Sequence, residues 1–387
     1  MATLGQSQRI QQLDGLRGVS MLLVFAYHFT ILWHGMAPPD PVSQWYLRLI
    51  SADGGMGTNF FMLLSGFVGY RLLMSHRINF REFLVRRFWR LYPLYFVLCL
   101  LYVCGALFFP HLSRLPSDTW DAFVFIVQNL VFLPGLLQVK PLMESAWTMS
   151  YIVLFYFIEG GAVALFERFR LSRPERCAAL ITAGLLWALA GDAGGWWAPR
   201  TAMFWFGMAF SEFPRGLPSE HTGAVKVTTA FLAGASFAAF WFVTKIAAGS
   251  HNVTAISNDL SITLLSAIAL CAFVWVACFG PEWWKRVLSS RILRWLGAAS
   301  YSYYLTHGFT VKAFQHGVLP ALGAMGSSTF VFWSSQAVGL MTSIVVALLI
   351  HHLFEQPVMA GFTRSKDSTI INPDVGVASL PPAVPTT

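Results

Sequence analysis

The sequence predicts an all-α polytopic membrane protein with about ten transmembrane helices, one re-entrant or interfacial segment, and both termini in the cytoplasm. Three observations lead there. Only 11% of the 387 residues are charged and 56% are hydrophobic, where a soluble chain carries about 25% charged residues. Several stretches of roughly 20 residues run almost without charge, the length that crosses a hydrocarbon core. The Lys and Arg gather in short loops between those stretches, which is the distribution that sets orientation in a bilayer. Spread in that way, the formal charge of +8 forms no single patch, so the lipid bilayer is expected as a partner and nucleic acid is not.

In chain order, apolar segments fall near 13–34, 54–74, 91–110, 121–138, 147–167, 177–193, 199–213, 226–248, 259–279, 297–319 and 329–354. The first begins near Leu13 and has the hydropathy of a secretory leader. It holds Arg17 and His28, and Pro38-Pro39 stand where a small-residue cleavage site would lie, so it is expected to stay as a helix. The loop 75–90 carries Arg77, Arg81, Arg86, Arg87 and Arg90; 167–176 carries Arg168, Arg170, Arg173 and Arg176; 281–296 carries Lys285, Arg286, Arg291 and Arg294. All three are expected in the cytoplasm.

Loops on one side must be separated by an even number of crossings. Between the first two lie 91–110, 121–138 and 147–167, so one of these does not cross. The segment 121–138 begins with Asp121, contains Gln128-Asn129 and is broken by Pro134-Gly135, and it is expected to be the re-entrant or interfacial one. A membrane domain then covers 1–362. The remainder, 363–387, is rich in Pro, Ser, Thr and Val and is expected to be a disordered cytoplasmic tail. The five cysteines form no CxxC pair and no metal-ligand cluster, so they read as small buried hydrophobes and no metal is expected. Asn252-Val253-Thr254 is a glycosylation sequon only in a host that glycosylates.

Ionisable groups inside a membrane are costly and mark candidate sites. The first helix holds Asp14, Arg17 and His28. Eleven steps of about 100° bring His28 to within about 20° of Arg17, and about 16 Å deeper. Asp14 precedes Arg17 by three residues and shares its side. An arginine at a membrane mouth suits a phosphate, and a buried imidazole suits proton abstraction from a hydroxyl. The bland alternative is a snorkelling Arg17 that only orients the helix, with His28 as a packing residue. Further on, Arg87 and Arg90 share a helix face and suit a phosphate-rich ligand, although charge alone fits a membrane anchor equally well. Ser65 and Ser150 have no adjacent base, and direct transfer needs no covalent intermediate.

Resemblance adds to this. Leu13-Asp14-Gly15-Leu16-Arg17-Gly18 runs on to Tyr27-His28-Phe29. There follow Asn59-Phe60-Phe61-Met62-Leu63-Leu64-Ser65-Gly66-Phe67, Arg87-Phe88-Trp89-Arg90-Leu91-Tyr92-Pro93 and Trp147-Thr148-Met149-Ser150. Near the end come Leu296 to His307, with Ser300-Tyr301-Ser302-Tyr303-Tyr304 inside it, and Glu355-Gln356-Pro357. In this order, across 13–357, the chain resembles the acyltransferase-3 family of membrane O-acyltransferases. The resemblance implies a ten-helix domain that takes an acyl group, commonly acetyl, from acyl-CoA. The acceptor would be a hydroxyl of a sugar, polysaccharide, glycolipid or secreted metabolite. The implied place is a bacterial cytoplasmic (inner) membrane, crossed many times. It also implies that His28 is the family's essential histidine and Arg17 its partner, with Asp14 beside them. Arg87 and Arg90 match the arginine pair that would bind acetyl-CoA together with Arg17, and His307 matches the histidine of the late Ser-Tyr motif.

One position departs from the family. Ile152 stands where a glutamate usually follows the Trp-Thr-Met-Ser element, and Glu159 and Glu144 are the candidates to replace it. Two rival classes stay open. A proton-coupled transporter or flippase would use His28 and Asp14 as a relay, but the hydropathy pattern has no two-fold repeat. A catalytically inactive relative acting as sensor or scaffold is the other, and Ile152 is its motive.

Overall fold

In a computed structural model of the chain, every regular element among the described residues is a helix, apart from one isolated bridge between Pro134 and Leu137. The structure describes 11–52 except positions 34, 35 and 37, then 55–109, 113–213 except 196, parts of 227–238, 259–324 and 328–367. Most of the expected segment 226–248 and the tail from 368 onward lie outside these residues.

The helices are α1 (Gln11–Ile31), α2 (Pro41–Ala52), α3 (Met56–Met74), α4 (Phe80–Phe108), α5 (Thr119–Leu130), α6 (Ala146–Arg168) and α7 (Arg173–Asp192). A 3₁₀ turn, Pro199–Ala202, leads into α8 (Met203–Glu212). After it come α9 (Leu260–Phe279), α10 (Glu282–Leu288), α11 (Arg291–Ala298) and α12 (Ser300–Ala313). A π-turn, Phe314–Val318, joins α12 to α13 (Leu319–Ala324), and a second, His351–Glu355, joins α14 (Thr329–Ile350) to α15 (Gln356–Asp367).

Local chemistry writes many of the starts. The Asn79 side chain accepts from the Glu82 amide at 2.8 Å, and Asp259 from the Ile262 amide at 3.0 Å, each satisfying one orphan donor of a first turn. Ser172 and Glu175 close a capping box on α7. The hydropathy pattern leaves 35–53 as a loop, yet α2 forms there. Asp40 accepts from the Ser43 amide at 2.9 Å, and Pro41 begins the helix. The helix is tied to the start of α14 by Thr329 to Asp40 (2.6 Å) and Trp333 to Ser43 (3.1 Å).

Among the described residues, four helices are long and apolar enough to cross a membrane by length and composition: Phe80–Phe108, Ala146–Arg168, Leu260–Phe279 and Thr329–Gly361. Helices α1 and α3 carry Asp14, Arg17, His28, Asn59 and Arg71, which lower their hydropathy. Helix α5 has 12 residues, about 18 Å, short of a core about 30 Å thick. The loops rich in arginine come together: His76 Nδ1 is 3.5 Å from Glu167 Oε1. Arg176 forms a two-pronged pair with the buried Glu212, both contacts at 3.0 Å, and the Tyr70 hydroxyl donates to the same carboxylate at 2.6 Å. That fork geometry is the strong form of the arginine–carboxylate bond.

Lipid removes most of the hydrophobic drive between helices, so close backbone approach has to hold them. Helix α1 meets α10 and α11 in this way. A Cβ on Gly15 would collide with the Leu288 carbonyl, and one on Gly297 with the Asp14 carbonyl. Aromatic stacking fills the middle of the bundle, as where Phe155 of α6 lies 4.2 Å from Phe204 of α8.

Gly297→Ala is expected to destabilise the fold by about 1–3 kcal/mol, read as a lower thermal midpoint in detergent. Gly308→Ala, where a new Cβ meets no atom within 4 Å, should leave the midpoint unchanged or raise it. Equal midpoints would contradict the packing of α1 on α11.

Candidate active site

Helices α1, α3, α4, α6 and α12 enclose a cavity of about 110 Å³. Asp14, Arg17, Arg87 and Arg90 line it, together with Thr148 and Tyr304. The spacing explains the meeting: each charged pair lies three residues apart on its own helix, so both members of a pair face inward. Arg17 is within electrostatic reach of Arg90, Asp14, Glu355 and Arg87. The Arg87 guanidinium sits over the rings of Phe83 (5.2 Å) and Tyr156 (5.4 Å). Arg86 faces elsewhere and pairs with Glu82 at 2.7 Å. Three guanidiniums at one cavity concentrate positive charge there, and the fork geometry of arginine suits phosphate.

Glu355 stands behind this cluster. It accepts from Ser302 Oγ at 2.6 Å and pairs with His351 Nδ1 at 2.8 Å. The π-turn supplies both His351 and Glu355, and such turns recur at functional sites.

Tyr304 links the cavity to the histidines. Its hydroxyl donates to Thr148 Oγ1 at 2.7 Å. Its ring lies 5.6 Å from Phe61 and 5.6 Å from His307. His307 is buried, with Nδ1 2.7 Å from the Tyr304 carbonyl. A carbonyl only accepts, so Nδ1 carries a proton, and in the neutral ring Nε2 then keeps its lone pair. The His307 ring is 4.8 Å from that of His28. The two imidazoles thus form a pair across α1 and α12.

The structure brings Asp14, Arg17, Arg87 and Arg90 together at the cavity, while His28 and His307, which do not line it, meet each other farther along α1. Ile152 lines the cavity, while neither candidate glutamate does. Glu144 pairs with Arg114 at 2.9 Å near the surface. Glu159 is fully buried, and neither carboxylate oxygen has a hydrogen-bond partner among the described residues. It is packed against Gly69, where a Cβ would strike its carboxylate. Thr148, Tyr304, Ser302 and Glu355 lie inside the motifs quoted above, but nothing in their spacing assigns them a role. Among the described residues no group of three or more His, Cys, Asp or Glu is placed to hold a metal.

The sequence profile described as an acyltransferase domain, that of acyltransferase-3, matches residues 10–352. The peptidoglycan O-acetyltransferase OatA of Listeria monocytogenes is 24% identical over 340 residues, 77% of this chain and 49% of that protein. The putative peptidoglycan O-acetyltransferase YrhL of Bacillus subtilis is 23% identical over 382 residues, 92% of this chain and 56% of that protein. The exopolysaccharide production protein ExoZ of Rhizobium meliloti is 25% identical over 120 residues, 30% of this chain and 37% of that protein. The chain thus spans about half the length of the first two relatives. No solved structure matches it.

The charge of the cavity is testable without a substrate. In a chain whose native cysteines are replaced, a cysteine at Ser65 faces the cavity. A negatively charged methanethiosulfonate should modify it at least about tenfold faster than a positively charged one, after normalising to a free thiol, as expected near guanidiniums at low effective dielectric. Faster reaction with the cation would contradict the anion site.

Proposed function

The chain belongs to the acyltransferase-3 family, and on that premise we propose that it O-acylates a carbohydrate hydroxyl, with acetyl-CoA as donor. The observation that carries the reading is the three-guanidinium cavity joined, through Tyr304, to a pair of imidazoles. The phosphates of the donor rest on Arg17, Arg87 and Arg90, and Asp14 keeps Arg17 aligned. The thioester end extends along α1 to the histidines. His28 takes the proton of the acceptor hydroxyl as its oxygen attacks the thioester carbon. His307, fixed as its Nδ1–H tautomer by the Tyr304 carbonyl, orients His28 and shares the proton. Two relatives named for peptidoglycan and one named for exopolysaccharide support a polysaccharide or its precursor as acceptor.

In this reading the chain crosses a bacterial cytoplasmic membrane about ten times, with α5 not crossing and both termini in the cytoplasm. The short α5 and the meeting of His76 with Glu167 support that arrangement. Arg17 then lies near the cytoplasmic face, which supplies the donor, and His28 nearer the opposite face, from which the acceptor comes.

Ile152 favours one alternative, a chain that keeps the cavity without catalysis. Thioester turnover separates the two. Purified protein with acetyl-CoA should release free thiol, followed with a chromogenic reagent, and release should increase with acceptor. His28→Ala should cut turnover about 10²–10⁴-fold while donor binding and thermal midpoint persist. Arg90→Lys should weaken donor binding, because a point charge poorly replaces a fork. A folded, donor-binding His28→Asn protein that turns over at the wild-type rate would sink the catalytic assignment.

A further inference from the structure

Arg200 belongs to none of the motifs above, and it is a buried cation. It sits in the turn Pro199–Ala202, 8% exposed. Its Nε donates to Asn59 Oδ1 at 3.0 Å, and Nη2 donates to the Gly55 carbonyl at 3.1 Å. Its guanidinium carbon lies 5.4 Å from the centre of the Trp147 ring. Gly55 adopts a φ of 94°, in the left-handed region that favours glycine. A Cβ there would come within 2.7 Å of Arg200 Nη2. The first turn of α3 is shaped around this side chain.

A chain of contacts relates it to the histidines. Trp147 precedes Thr148, which accepts from Tyr304. Tyr304 is one turn from His307, whose ring lies beside that of His28. The cluster of Arg17, Arg87 and Arg90 lies toward the other end of α1, about 16 Å from His28 along the axis. One cation is therefore held on the Trp147–Thr148–Tyr304 side of the imidazole pair, apart from the three guanidiniums that line the cavity.

Acyl transfer needs such a group. As the acceptor oxygen bonds to the acyl carbon, the hydroxyl proton passes to an imidazole and the carbonyl π pair moves onto oxygen. On collapse the C=O bond reforms, the C–S bond breaks, and the departing sulfur takes the proton from the imidazolium. The negative oxygen of the intermediate is best stabilised by a donor already fixed in place. We propose that Arg200 is a catalytic residue that binds this oxyanion beside His28 and His307. The assignment rests on the acyltransferase reading with a thioester donor.

The test compares Arg200→Gln and Arg200→Lys with wild type, reading kcat, KM for donor and acceptor, and thermal midpoint. Arg200→Gln should lower kcat about 10²–10³-fold with both KM values little changed. Arg200→Lys, which keeps the charge, should retain at least about tenfold more kcat than Arg200→Gln at a similar midpoint. A side chain that only pins α3 to the Pro199 turn predicts equal losses in both variants, in step with lowered midpoints, and that result overturns the proposal. So does a loss confined to the donor KM. Should the glutamine variant not accumulate, Asn59→Leu keeps the cation but unpins its Nε, and a kcat unchanged there also overturns it. Wild-type protein without thioester turnover refutes the acyltransferase reading instead, whereas turnover that survives Arg200→Gln refutes this inference alone.

Discussion

Helix α1 touches α10 and α11 backbone to backbone, and the geometry of the site hangs on that contact. Gly15 and Gly297 leave no side chain between the helices. Helix α11 runs through the single residue Ala299 into α12, so the position of α1 against α11 also sets its position against α12. The contact thus brings Asp14 and Arg17 to the cavity at one end of α1 and His28 to His307 at the other. Helical rise does the rest, since eleven residues separate Arg17 from His28 by about 16 Å.

Charge is the second organising constraint. Removing ions from water is costly, and buried ions need partners. Arg17, Arg87 and Arg90 gather with Asp14 and Glu355, and Glu355 is itself held by Ser302 and His351. The guanidiniums still exceed these carboxylates in number, which leaves the cavity suited to an anion. A further buried cation, Arg200, is held by an amide oxygen, a carbonyl and an indole face at the start of α3 and α6. In the proposed reaction the first anchors the donor and the second meets a charge that develops only as the acyl group is transferred, so separating the two allows each to be rigid.

Much of this is legible in the chain because it is periodic. The register of Asp14, Arg17 and His28 is a helical property, as is the shared face of Arg87 and Arg90, and all of them reach the site. The same periodicity does not distinguish Arg87 from Arg86, whose pairing with Glu82 is visible only in three dimensions. Helix α2 was hidden because its start depends on Asp40 and Pro41 rather than on hydropathy. The fate of Glu159 and Glu144 also needed tertiary packing: a seven-residue step puts Glu159 on the right face but at the wrong depth, behind Gly69. Tyr304, Glu355 and Arg200 act through partners 53 to 156 residues away in sequence, which no local pattern encodes. The segment 226–248 falls mostly outside the described residues.

In the proposed reaction one donor molecule spans both ends of this site. A structure of the protein with a non-transferable acetyl-CoA analogue measures it directly. The account predicts phosphate oxygens within about 3 Å of guanidinium nitrogens of Arg17, Arg87 or Arg90, and the acyl carbon beside His28 and His307. An analogue bound outside the cavity, or lying with its phosphates at the histidines, would contradict it.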